Sequence, residues 1–355
     1  MGAGLLTAAA SLRPVSGSAR DVLDLLRPWV AGDDVEPLVV RTSGSTGEPK
    51  DVRLSRGAVL ASAHATHARL GGPGQWLLAL PVTGVGGLQV LVRSLLAEQE
   101  PVLLDDHDDL VDALRELDAP RTYASLVPTQ LHRLASAGRL DVLAALDAVL
   151  VGGAALDPTL REQATSAGVR VVRTYGMSET SGGCVYDGVP LDGVAVALGP
   201  SGRIRLAGPT IFDGYDGDPG LTAEVLVDGW FHTADAGRLD EDGRLQVLGR
   251  VDDVVVTGGV NVPGPAVAAR LREHPDLAAA EVLGVPDEEW GRRLVAFVVP
   301  RDGAAPSTQE LRDWVAAERP RSWAPRQVVE VRDIPLLANG KPDRLALGRL
   351  VGEPA

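Results

Sequence analysis

Between Pro37 and Gly176 short runs of Val, Leu and Ala keep alternating with stretches of helical spacing, and no other feature constrains the fold as strongly. The runs are PLVVR (37–41), QWLLALP (75–81), PVLLD (101–105), TYASLV (122–127), AVLVGGA (148–154) and VRVVRTYG (169–176). Helical patterns fall at Val22 to Val30 and at 57–70, 88–97, 108–117, 128–137 and 158–167. A strand that is apolar at every position has no face to spare for water, so these runs predict a largely parallel sheet with helices on both sides. After Gly188 the texture changes to short strands separated by Gly-Asp turns: VAVALG, GRIRLAG, LVDGWFHTAD and GRLQVLGR. That pattern predicts an antiparallel appendix to the first domain. A second change follows VDDVVVTGGVNVPG, where a helix at 264–273, the strands AAAEVLGVP and RLVAFVVP, a helix at 307–318 and the strand VVEVRDIPLL read as a small α+β domain. The expectation is an α/β N-terminal domain over 1–251 and a C-terminal domain over 252–355, a division that suits 355 residues.

Charge and cysteine content remove several function classes. Acidic residues outnumber basic ones 48 to 34, for a net charge of −14, so nucleic acid and anionic membrane surfaces are poor partners. The one cysteine, Cys184, allows no intrachain disulfide and no cysteine-based metal site, and the six histidines lack metal-ligand spacing. No window is apolar for the ~18 residues that a membrane span requires. The N-terminus MGAGLLTAAASLRP has no basic region before its apolar run, so the cytoplasm is the expected location.

Lysine usage narrows the search. Among 34 basic residues only Lys50 and Lys341 are lysine, and both stand in glycine-rich segments that read as loops. An ammonium is a compact point charge that reaches phosphate or carboxylate oxygens in a tight site; the competing reading is chance survival. Lys50 ends the run Thr42, Ser43, Gly44, Ser45, Thr46, Gly47, Glu48, Pro49. Glycines let backbone approach a polyphosphate closely, and the hydroxyls add donors. The run is not a GxxxxGK[ST] loop, and alone it reads equally as a surface turn. It follows an apparent buried strand and precedes a helix, a place where α/β proteins bind anions.

RTSGSTGEPKDV resembles the phosphate-binding loop of the adenylate-forming superfamily, which contains acyl- and aryl-CoA ligases, peptide-synthetase adenylation domains and luciferases. The other motifs of that superfamily follow in its order. LVGGAAL resembles the adenine-side turn, with Gly152, Gly153 and Ala154; TYGMSET resembles the segment in which Tyr175 and Gly176 meet adenine and Glu179 holds Mg²⁺. GWFHTAD resembles the segment whose aspartate, here Asp235, binds the ribose; GRVDDVVVTGGVNV resembles the hinge segment, which implies Arg250 on the ribose, Asp252 at the hinge and Gly258–Gly259 beside the CoA channel. NGKPDR resembles the C-terminal catalytic-lysine motif, with Lys341 as that lysine. The resemblance further implies Thr46 as a second Mg²⁺ contact, and Thr83, Gly87 and Ser178 at the acyl substrate. Its substrates are ATP and CoA. Its C-terminal domain is a lid that swings about the hinge to deliver the lysine and afterwards admits CoA, which suits a reaction in which charge gathers on phosphoryl oxygens.

Members of the superfamily carry a much longer region before the phosphate loop than this chain, whose loop opens at Thr42. A second copy, in a homodimer, is one way to cover what that region shields. Where many acyl-CoA ligases have a histidine or aromatic residue, PVTGVGG has Gly84. The apolar helix LQVLVRSLLA is interrupted by Arg93, whose charge needs an anion, either a protein carboxylate or the substrate, unless its head snorkels to water. The short length, VPTQLHRL and PVTGVGGLQVLVRSL resemble the ligases that join o-succinylbenzoate, a dicarboxylate, to CoA in menaquinone biosynthesis. The expected reaction is therefore activation of that acid through an acyl-adenylate, with Arg93 on the second carboxylate. The alternatives are a ligase for another aryl or short acyl acid, and a non-catalytic adenylate-binding module. Cys184 reads as a packing residue, and His64 and His67 as surface positions.

Overall fold

The computed structural model describes residues 10–42, 49–251, 254–301, 304, 306–336 and 342–352. They fall into two compact units: residues up to Ala197 with Arg205–His232, and Leu198–Ile204 with residues from Thr233 onward. The long strand Trp230–Leu239 runs through the division, while the expected boundary residue Asp252 lies outside the described residues.

The first unit is built on a seven-stranded sheet in the order Val189–Pro190, Gly182–Tyr186, Val171–Met177, Ala148–Val151, Thr122–Leu126, Gln75–Leu78, Val102–Leu103. The strands from Val171–Met177 onward are parallel, and the first two are antiparallel. Successive side chains leave a strand on opposite faces, and both faces here are dry. Trp76, Leu78, Tyr123, Ala148 and Leu150 join one core, packed with Val22, Leu26 and Trp29 of the helix Ala19–Ala31 and Leu88 and Leu91 of the helix Val85–Leu96. Leu77, Ala124, Leu126, Val149 and Val151 join the other, with Leu131 of Pro128–Ser136 and Leu160 of Pro158–Ser166. The helices start where their sequence says: Ser18 and Asp21 form a capping box, and Asp157 caps a helix that opens on Pro158.

One expectation is corrected. The phosphate-loop segment does not join a strand to a helix; Leu38–Thr42 and Lys50–Leu54 pair antiparallel, in a separate three-stranded sheet completed by Gly214–Tyr215. Lys50 is thus the first residue of a strand. The cause is a period of two within K-D-V-R-L, which buries Val52 and Leu54 and leaves Arg53 in water.

In the second unit Trp230–Leu239 pairs antiparallel with Leu245–Arg250, and Val254–Thr257 forms a hairpin with Val260–Pro263. Beyond them a three-stranded sheet joins Leu277–Asp287 and Gly291–Pro300, antiparallel, to Gln327–Glu330, parallel. Val282, Leu294, Ala296 and Val298 face the helices Gly264–Arg272 and Thr308–Ala316, whereas Leu283, Val285, Val295 and Phe297 pack with Leu347 of Arg344–Arg349.

Candidate active site

The parallel strands of the first unit end side by side at Leu78, Leu126, Val151 and Met177. Open α/β sheets bind ligands at this carboxyl edge. Gln130 ties two of the ends together, since its amide donates to the Ala79 carbonyl at 2.7 Å and accepts from the Val127 N–H at 2.9 Å. Gly152–Ala154 follow the third end, and Tyr175 and Gly176 lie in the last residues of the fourth strand.

Ser178 and Glu179 stand on the tight turn that follows Met177. The Thr180 hydroxyl closes that turn, accepting from Met177 N–H at 2.9 Å and donating to the Gly182 carbonyl at 2.7 Å. Glu179 is half-buried. Its Oε1 accepts from the Tyr215 hydroxyl at 2.8 Å, and its backbone carbonyl accepts from Phe212 N–H at 2.9 Å. Among the described residues Oε2 accepts nothing.

Thr42 and Lys50 face each other across the stem of the phosphate-loop hairpin, and the Thr42 hydroxyl donates to the Lys50 carbonyl at 3.2 Å. The Lys50 Nζ lies 5.2 Å from the centre of the Tyr215 ring. An open cleft of about 420 Å³ adjoins them, lined in part by Arg41, Asp51, Asp216 and Asp218. Arg41 binds Asp51 at 2.7 Å and holds its carboxyl below the usual range. Ser43, Gly44, Ser45, Thr46 and Gly47 lie outside the described residues, as do Asp252 and Lys341.

The expected ribose and CoA-channel residues fall in the second unit. Asp235 and Arg250 are directly opposite each other on the antiparallel pair. Gly258 and Gly259 make the turn of the Val254–Pro263 hairpin, where Gly258 N–H donates to the Trp290 carbonyl at 3.2 Å.

Of the expected acyl residues, Thr83 is exposed in the turn after Pro81. Gly87 is buried in the first turn of Val85–Leu96, so close to Pro81 that a Cβ would lie 2.3 Å from its carbonyl oxygen. Arg93 meets neither structural expectation: it is 3% exposed, so it does not snorkel, and no carboxylate lies beside it among the described residues. Its guanidinium sits 5.0 Å from the Trp76 ring centre, its Nε has no hydrogen-bond partner, and burial lowers its pKa. Gln89, one turn earlier on the same helix, donates to the Ser181 carbonyl at 2.9 Å, two residues past Glu179. His67 is buried, contrary to expectation, and burial together with the charge of Arg93 pulls its pKa down to about 4. Cys184 is fully buried with its thiol pushed up to about 12, as fits a packing residue.

The described residues contain no group of three or more His, Cys, Asp or Glu side chains able to hold a metal. A single carboxylate with one free oxygen suits Mg²⁺, which is commonly held by one or two carboxylates plus substrate phosphates. Sequence reasoning missed Tyr215 and the role of Gln130. An aromatic residue inside GYDGDPG was the available signal for the first; a lone Gln within an ordinary helix offered none for the second.

Residues 28–229 match the model of the AMP-binding enzymes, and residues 266–341 match the model of the AMP-binding enzyme C-terminal domain. The chain belongs to the AMP-binding enzyme family. It is similar to a probable 2-succinylbenzoate–CoA ligase of Mycobacterium tuberculosis, with 46% identity across 92% of this chain and 88% of that one. A 2-succinylbenzoate–CoA ligase of Bacillus cereus is 32% identical over 89% of this chain and 70% of that one. Among solved structures, the o-succinylbenzoate–CoA synthetase of Bacillus subtilis in complex with its acyl-adenylate superposes with a TM-score of 0.76 at 27% identity, over 89% of this chain and 69% of that one. The amide bond synthetase of Marinactinospora thermotolerans gives 0.79 at 31% identity, over 88% and 68%. No described helix is long and apolar enough to cross a membrane.

Proposed function

We propose that this chain is an AMP-forming acid–CoA ligase acting on o-succinylbenzoate. The acid's carboxylate attacks the α-phosphorus of ATP and pyrophosphate leaves; the CoA thiol then attacks the acyl carbonyl and AMP leaves. The observation that carries this reading is the meeting of Glu179 and Lys50 at Tyr215, beside the phosphate-loop stem, in a chain 46% identical to a 2-succinylbenzoate–CoA ligase.

In this scheme the loop from Thr42 to Gly47 and the Lys50 ammonium clamp the phosphates. Gly152–Ala154, Tyr175 and Gly176 receive the adenine, and Asp235 with Arg250 receives the ribose. Glu179, with Thr46, holds Mg²⁺, which spreads the negative charge of the phosphate oxygens when bound. Lys341 supplies the second ammonium for adenylation, Asp252 is the hinge between domains 1–251 and 252–355, and Gly258–Gly259 border the CoA channel. Thr83, Gly87 and Ser178 border the acid. Arg93 takes its second carboxylate, a role supported by a buried guanidinium for which the described residues provide no anion. The reaction belongs in the cytoplasm, with ATP and CoA.

A pyrophosphate-release assay tests the scheme. The wild type is expected to release pyrophosphate with o-succinylbenzoate and not with benzoate. Lys341→Ala is expected to abolish this half-reaction while still converting pre-made acyl-adenylate and CoA to thioester. Absence of pyrophosphate release with every acid tried refutes the enzyme reading, and equal loss of both half-reactions refutes the role of Lys341.

A further inference from the structure

Tyr215 is tied to two residues of the proposed site at once. Its hydroxyl donates to Glu179 Oε1 at 2.8 Å, and its ring lies under the Lys50 ammonium, 5.2 Å from ring centre to Nζ. The ring itself is held on several sides. It is 7% exposed and meets Phe212 edge-on at 5.0 Å, and Phe212 in turn meets Phe231 at 5.2 Å. Its backbone pairs with Val52, and its N–H donates to the Thr222 hydroxyl at 2.9 Å. That hydroxyl donates onward to the Asp218 carbonyl at 2.8 Å. Gly214 allows this packing: its φ is +141°, and a Cβ there would lie 2.7 Å from the Thr222 methyl.

A rigid phenol against a flexible carboxylate has a directional consequence. Glu179 loses rotamer freedom when Oε1 is pinned, and Oε2 is left as its free oxygen among the described residues. Phe212 N–H holds the Glu179 carbonyl at 2.9 Å, so one segment fixes both the main chain and the side chain of that residue. A packing role alone needs the ring and makes no use of its hydroxyl.

We propose that Tyr215 is a positioning residue, whose hydroxyl aims Glu179 at a phosphate-bound divalent cation and whose ring keeps the Lys50 ammonium in place. The proposal rests on the role given to Glu179 above. It divides the side chain into two parts with separable effects: the hydroxyl acts on the metal dependence of nucleotide binding, and the ring acts on binding of the nucleotide itself.

Calorimetric titration with ATP, in EDTA and across a Mg²⁺ series, tests it without turnover. Partners that orient metal-ligating groups are typically worth about 10- to 100-fold in metal affinity. Tyr215→Phe is therefore expected to bind ATP in EDTA as the wild type does, while its half-saturating Mg²⁺ concentration rises about 10- to 100-fold. Glu179→Gln is expected to shift at least as far. Tyr215→Leu is expected to add a loss of about two- to fivefold in metal-free ATP affinity, the scale of one exposed cation–π contact. A Mg²⁺ shift in Glu179→Gln but not in Tyr215→Phe overturns the inference alone. No shift in either overturns the reading of Glu179. Equal weakening of ATP with and without metal in Tyr215→Phe makes the hydroxyl a packing element, and also overturns it.

Discussion

Replacing Arg93 with methionine gives two readouts of opposite sign, one on stability and one on substrate affinity. The guanidinium is 3% exposed, its Nε is unpartnered, and the contact that offsets its burial is the Trp76 face at 5.0 Å. Removing an ion from water costs several kcal/mol even after the protein relaxes, and a desolvated cation–π contact returns about 2 kcal/mol. Exchanging buried charges for apolar groups of similar volume often stabilises a protein by about 1–4 kcal/mol. Methionine, unbranched and adaptable, follows the same path through the core. Arg93→Met is therefore expected to raise the free energy of unfolding by roughly 1–3 kcal/mol in urea titrations without substrate. The same change removes charge-assisted hydrogen bonds to the acid's second carboxylate, worth about 1.5–3 kcal/mol. At about 1.4 kcal/mol per decade, KM for o-succinylbenzoate is expected to rise roughly 10- to 150-fold, with KM for ATP within about twofold of wild type. Pyrophosphate release at varied acid and varied ATP measures both constants. A less stable variant with unchanged KM for the acid refutes the reasoning: Arg93 is then a structural cation, and its charge is satisfied within the fold.

Two further outcomes follow from buried groups. His67 has its pKa lowered to about 4 by burial and by Arg93, so between the ordinary 6.5 and about 4 the unfolded chain binds a proton that the native chain refuses. Its contribution to stability is present above 6.5 and is lost as pH falls through that window; His67→Leu is expected to flatten this acid limb in urea titrations at several pH values. Gly87→Ala places a methyl 2.3 Å from the Pro81 carbonyl oxygen, where backbone has to yield. The expected loss is about 1–3 kcal/mol by urea titration, with a higher KM for the acid because the Pro81–Thr83 turn moves with it.

The core of the first unit was legible because its strands are buried on both faces, which turns each into an unbroken apolar run. QWLLALP could hardly be anything else once Trp76 and Leu77 face two different cores. The hairpin stem at Lys50–Leu54 was not legible in the same way. Only Val52 and Leu54 are buried there, two residues in five, and a hydroxyl-rich loop beside them dominates the local composition. Motif order brought Asp235 and Arg250 onto one list of ribose contacts; it could not say that they face each other across a strand pair. Arg93 was half legible. The apolar helix around it announces a charge in need of a partner, but whether the fold supplies that partner depends on what arrives from distant strands and helices, here the Trp76 ring.

Tyr215 shows why such information stays hidden. Its role depends on Glu179 and Lys50, which reach it from elements far apart in the chain, and on Thr222 entering the space that a Gly214 side chain would fill. A pattern within GYDGDPG records the tight backbone and says nothing of the carboxylate it serves. Groups that touch ligand are recognisable by residue type, because phosphate, metal and ribose each demand a particular chemistry. Groups that aim them need only the right position, and position is a property of the folded chain.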